Sequence, residues 1–181
     1  MKTYVLMISE VFPATHPKKG QPTNFIEKIG KAVNMVNERG KKRHTIRGNY
    51  PLWKKRFEEI EAGRAGLSIR SWTGKPYRSK QQEHFRLDKN DGIGLEMITL
   101  RRERYEGEEG KPLTYGYSAK VNGLSKHMAI VAINDGLTIP DFEEWFSPAF
   151  DKAEGRYPQF YDISCATEMD FAVIHFTDYR Y

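Results

Sequence analysis

Between residues 39 and 56 the chain carries eight cations and no acid: Arg39, Lys41, Lys42, Arg43, Arg47, Lys54, Lys55 and Arg56. Tyr50 and Trp53 are threaded through this stretch and Phe57 follows it. Further on come Trp72 and Tyr77, the latter beside Lys75, Arg78 and Lys80. Cations take phosphates and flat rings take bases, so this pattern suits a polyanion with stackable groups. The plainer reading is a solvated basic face with Trp53 and Phe57 turned into the core. The other chemistry-bearing residues are scattered. His16, His84, His127 and His175 stand singly, with no His-x-x-x-His and no cysteine pairing, so no metal site is expected. Ser79, Ser125 and Ser164 lack a nucleophile-elbow context, and Cys165 has no evident histidine partner.

The chain of 181 residues has a net charge of +5, which hides an asymmetry. Residues 1–104 hold 23 Lys/Arg against 11 Asp/Glu, a balance of +12, while residues 105–181 hold 6 against 13, a balance of −7. Such a split permits head-to-tail association of two copies. Hydrophobic residues at 39% and charged residues at 29% indicate an ordinary globular domain, not a disordered chain. No run approaches the ~18 apolar residues of a membrane span. Residues 1–10 read as a strand, not a signal peptide. One cysteine excludes an internal disulfide. A cytoplasmic protein without a membrane partner is expected. No glycine-rich phosphate loop occurs, so no cofactor is expected.

The positioning elements follow from periodicity. Residues 3–11 read as a strand and the proline-rich 12–22 as a loop. Thr23 is placed to cap a helix running to about Asn37, with Phe25, Ile29, Val33 and Val36 at helical spacing. Residues 42–47 read as a short strand and 51–61 as a helix. Strands are expected over 65–72, 77–87, 93–104 and 112–121, with a loop at 106–111. Short helices are expected over 125–134 and 139–146, the second capped by Thr138. Residues 147–168 read as irregular and 169–179 as a closing strand. Strands that do not alternate regularly with helices indicate an α+β fold with a curled sheet or small barrel.

The stretch Gly40-Lys41-Lys42-Arg43-His44-Thr45-Ile46-Arg47-Gly48, entering a strand after an amphipathic helix, resembles the opening signature of ASCH domains, relatives of PUA domains. Ala132-Ile133-Asn134-Asp135-Gly136 with the following Asp141–Phe146 resembles the family's acidic segment, and Phe171–Phe176 its aromatic closing strand. These lie in the family's order over roughly residues 24–177. The resemblance implies one PUA-like domain over 1–181, a small β-barrel with flanking helices, enlarged by an insertion near 49–120. It also implies RNA or a modified nucleoside as ligand. Some small members are amidohydrolases that deacetylate N4-acetylcytidine. Carried over by position, their active set falls on Lys42, Thr45 and Asp135, and the signature's arginine on Arg47. Asp135 stands where those enzymes usually carry glutamate. The early loop with His16, Lys18 and Lys19 has no counterpart in the signature.

Two readings follow. In a binding module, Lys42, Arg43, Thr45 and Arg47 line the cleft, His44, Trp53, Trp72 and Tyr77 are further ligand contacts, and basic residues around 54–56 and 75–80, Lys75 and Arg78 among them, lie near phosphates. In a hydrolase, Lys42 is the base for the weak Thr45 nucleophile, Asp135 orients the lysine or shuttles a proton, and Arg47 polarises a carbonyl or holds a phosphate. Side chains alternate along a strand, so Lys42 and Thr45 meet only if the backbone bends between them. A third reading is self-association through the opposed charges.

Overall fold

The computed structural model describes residues 1–37, 39–105, 114–155 and 166–181. Ser164, Cys165 and the expected loop at 106–111 lie outside the described residues. The chain is α+β, built as two sheets and four α-helices among the described residues. A three-stranded sheet is ordered β1 (Lys2–Met7), β3 (Ala65–Trp72), β4 (Gln81–Leu87), with β1 and β3 parallel. A five-stranded antiparallel sheet is ordered β2 (His44–Arg47), β8 (Ala166–His175), β5 (Gly94–Tyr105), β6 (Thr114–Val121), β7 (Leu124–Lys126). The expected barrel does not close. β2 and β7 are the two edges of the larger sheet, and β1, which could have bridged them, pairs instead with β3.

Helix α1 (Phe25–Val33) buries Phe25, Ile29 and Ala32, and α2 (Tyr50–Glu61) buries Trp53, Phe57 and Ile60. Asn49 caps α2 by accepting a hydrogen bond from the Leu52 N–H at 3.2 Å. α2 lies against β3, β5 and β8, and so joins the two sheets. On β5 every second residue from Glu96 to Arg102 is buried, on the face that receives α3 (Met128–Asn134) and α4 (Ile139–Glu154). There Phe146 meets Phe171 at 5.4 Å and Phe150 meets Tyr117 at 5.6 Å. α4 continues through Pro148 to Glu154, past the expected end at 146. Burial of Phe150, with Asp151 and Glu154 paired to Arg102, outweighs the backbone bond lost at the proline. No helix among the described residues is long and apolar enough to cross a membrane.

Candidate functional site

The segment before β2 is pinned on three sides. The Lys42 N–H donates to Lys28 O on α1 at 3.0 Å and the Arg43 N–H to Asn134 O on α3 at 2.8 Å. The Phe176 N–H, just past β8, donates to Arg43 O at 2.9 Å. Lys42 is thereby driven under the end of α3. Its Nζ donates to Asp135 Oδ1 at 2.8 Å and to the Asp135 carbonyl, and lies 4.1 Å from the centre of the Phe25 ring. A cation at a helix C-terminus is favoured by the carbonyls exposed there. Lys28 donates to the next carbonyl, Gly136 O, at 2.8 Å. Gly136 has φ 79°, and a Cβ there would stand 3.1 Å from Lys42 Cβ, so conformation and space both favour glycine.

Register gathers two histidines beside this pair. His44 on β2 faces His175 on β8, their rings 5.6 Å apart. His44 Nδ1 is 3.5 Å from Asp135 Oδ1, and its Nε2 is 2.7 Å from the Tyr181 hydroxyl. Asn134 Nδ2 donates to the hydroxyls of Tyr179 at 3.1 Å and Tyr181 at 3.4 Å. His175 Nε2 lies 2.8 Å from Glu96 Oε2, out of line for a hydrogen bond. Glu96 instead accepts from Asn122 Nδ2 and the Tyr181 N–H.

The ionisable centre is buried: Lys42 is 1% exposed, His44 and His175 0%, and Asp135 4%. Burial lowers the Lys42 ammonium to about 8, against the opposing pull of Asp135. Burial lowers His44 as well, and takes His175 down to about 2, so both rings are neutral at pH 7. Burial alone would raise Asp135, but the Lys42 charge, helped by the adjacent His44 ring, outweighs it and holds the carboxyl below its usual range.

Thr45 is not part of this cluster. β2 pairs with β8 in unbroken register, so Thr45 sits opposite Ile174 on the face of the sheet away from His44. Among the described residues no hydrogen bond joins the Thr45 hydroxyl to Lys42 or Asp135. Arg47 also points elsewhere. It donates to Met7 O at 2.7 Å and Ile46 O at 3.1 Å, tying the end of β2 to the end of β1. Trp53 is 7% exposed in the core, under Arg56. Trp72, Lys75, Tyr77 and Arg78 gather at the β3–β4 turn. Among the described residues no group of three or more His, Cys, Asp or Glu is placed to hold a metal ion.

Arg43 is half-buried. Its guanidinium lies 4.9 Å from the centre of the Tyr179 ring, at a cleft of about 240 Å³ lined also by Ala32, Met35, Lys41, Thr177 and Asp178. The cleft and the buried cluster share an origin. Asn134 bonds Tyr179, Asp135 bonds Lys42, and Arg43 follows Lys42, so the cluster sets the cleft's walls. Sequence reasoning missed Glu96, Asn134, His175, Tyr179 and Tyr181. The close Tyr179-Arg180-Tyr181 spacing was the one local signal available. Comparison with protein-family models, with curated proteins and with solved structures finds no match to this chain.

Proposed function

We propose that the protein binds RNA or a modified nucleoside at the cleft between the end of α1, residues 41–43 and residues 177–179. The observation that carries this is Arg43 stacked over Tyr179 beside Lys41 and Asp178. A guanidinium and a ring supply a stacking surface, Lys41 a phosphate contact, and Asp178 an acceptor for an exocyclic amine such as that of cytosine. At about 240 Å³ the cleft is smaller than the roughly 300–1,000 Å³ of enclosing small-molecule pockets. It suits one base of a ligand and not a whole metabolite. The ASCH and PUA-like resemblance of residues 40–48 implies the same ligand class.

The second reading is amide hydrolysis on an acylated base. It is favoured by the contact of Lys42 with Asp135 and the lowered Lys42 ammonium. It lacks a nucleophile at that pair, because Thr45 lies across the sheet.

One experiment tests the binding reading. A fluorescent oligoribonucleotide is titrated against wild type and Arg43→Ala over a range of salt. Arg43→Ala should weaken binding about tenfold and flatten the salt slope by about one unit. Unchanged affinity and slope would overturn the cleft as the site. Incubation with N4-acetylcytidine, with Thr45→Ala as control, separates the second reading: cytidine released by wild type and not by the variant would establish it.

A further inference from the structure

The turn between β3 and β4, residues 73–80, reads Thr73-Gly74-Lys75-Pro76-Tyr77-Arg78-Ser79-Lys80 and contains no acid. It is a built turn. The Thr73 N–H donates to Lys80 O at 3.0 Å, the Thr73 hydroxyl donates to the same carbonyl at 3.1 Å, and the Arg78 N–H donates to Lys75 O at 3.1 Å. The Ser79 hydroxyl donates to Lys75 O at 3.0 Å. This frame holds Tyr77 at φ 64°, a left-handed conformation that a bulky aromatic rarely adopts. Tyr77 is nevertheless 89% exposed, so burial does not repay the strained backbone. Its ring leans on Trp72 at 5.3 Å and 51°, and is otherwise open to solvent. Lys75, Arg78 and Lys80 are exposed, and among the described residues none of the three is ion-paired.

We infer that this turn is a second contact for a single-stranded polynucleotide, with Tyr77, backed by Trp72, stacking an unpaired base. Lys75, Arg78 and Lys80 contact the phosphates on either side. This rests on the binding reading above and narrows it: the ligand is a strand, not a free nucleoside. Strain retained at an exposed ring is explained by what the ring meets in the complex. An acidic peptide would satisfy the three cations but gives no use to an open aromatic face. Stacking tolerates any base, so the turn adds affinity without sequence preference.

The test compares wild type with Tyr77→Gly and Tyr77→Phe. Glycine accepts the positive φ and removes the ring, and phenylalanine keeps the ring. The probes are a 12-residue single-stranded oligoribonucleotide, cytidine monophosphate, and a glutamate-rich peptide of equal charge. A melting curve for each variant verifies folding. The expected result is a loss of about 5- to 50-fold in oligonucleotide affinity for Tyr77→Gly. Tyr77→Phe should bind as wild type does, and cytidine monophosphate should bind all three proteins alike. Equal oligonucleotide affinity for Tyr77→Gly and wild type would overturn the turn's role and leave the cleft reading standing. So would wild type that binds the mononucleotide but not the strand, or a peptide that competes as well as the oligonucleotide. Wild type that binds neither nucleotide probe would overturn both proposals.

Discussion

Among the described residues Lys42 and Arg102 are the two most deeply buried cations, each 1% exposed, and their surroundings differ in kind. Arg102 holds Glu154 through two bonds at 3.0 and 2.6 Å, Asp151 at 2.8 Å and Ser147 Oγ at 3.1 Å. The Asp151 and Glu154 side chains are 61% and 33% exposed, so the anions keep part of their water. Burial works against the guanidinium, but the bonds it donates to Glu154, Tyr117 and Asp151 more than offset it and raise its pKa. Lys42 has one carboxylate, itself 6% exposed, one carbonyl and one ring, and its ammonium falls to about 8. A wetted fork of anions makes a clamp that fastens α4 to β5. A dry single pair makes a joint whose charge is only just maintained. The candidate cleft is built on that second joint.

Removing one cation from each site gives the largest expected effect. Lys42→Met strands Asp135 in the interior and should lower stability by about 3–5 kcal/mol. Arg102→Met leaves carboxylates that water can reach and should cost about 1–3 kcal/mol. Denaturant titration reads both, and equal losses would break the comparison. Adding Asp135→Asn to Lys42→Met should recover most of the loss, because no buried charge then remains.

Alkaline pH gives the next effect. From about pH 8, folded Lys42 sheds a proton that the unfolded chain keeps until its ordinary value of 10.5. The unfolded state then binds more protons, so folding stability gains with rising pH across this window. Lys42→Met should lack that gain. Arg102→Met should show it, since arginine stays charged throughout. Parallel profiles for wild type and Lys42→Met between pH 8 and 10.5 would show that the pair is not desolvated.

Periodicity was enough for several of the local elements. The expected 65–72 strand matches β3, the 51–61 helix matches α2 within a residue, and Thr138 caps α4 as expected. One missed element had left a trace. Asn122-Gly123 is a hairpin dipeptide, both residues have positive φ, and they join β6 to the short β7. The cluster itself is non-local. Lys42 and Asp135 are 93 residues apart, and His44 meets His175 only through the register of β2 on β8. No spacing rule encodes such pairings; the resemblance of residues 40–48 and 132–136 was the pointer to three members, Lys42, His44 and Asp135. Alternation did carry one result. It put Lys42 and Thr45 on opposite faces unless the backbone bends, and the unbroken β2 register leaves them apart.

The same small change made on each side separates the two joints most finely. On the Lys42 side, Asn134 Nδ2–H donates to the Tyr181 hydroxyl, which lies 2.7 Å from His44 Nε2. His44 Nδ1 lies 3.5 Å from the Asp135 carboxylate without a hydrogen bond, but the Tyr181 hydroxyl already accepts from Asn134, so its O–H donates to Nε2, which leaves the ring proton on Nδ1. Tyr181→Phe leaves that buried nitrogen without a donor and should cost about 1–2 kcal/mol. On the Arg102 side, Tyr115 offers its ring face, 4.5 Å from the guanidinium carbon, and phenylalanine keeps that face. Tyr115→Phe should therefore stay within about 0.5 kcal/mol of wild type. Thermal melts of the two variants make the comparison directly. A Tyr181→Phe protein as stable as Tyr115→Phe would mean that His44 finds another donor. The dry joint would then be wetter than its burial indicates, and the cleft wall at Tyr179 would not depend on it.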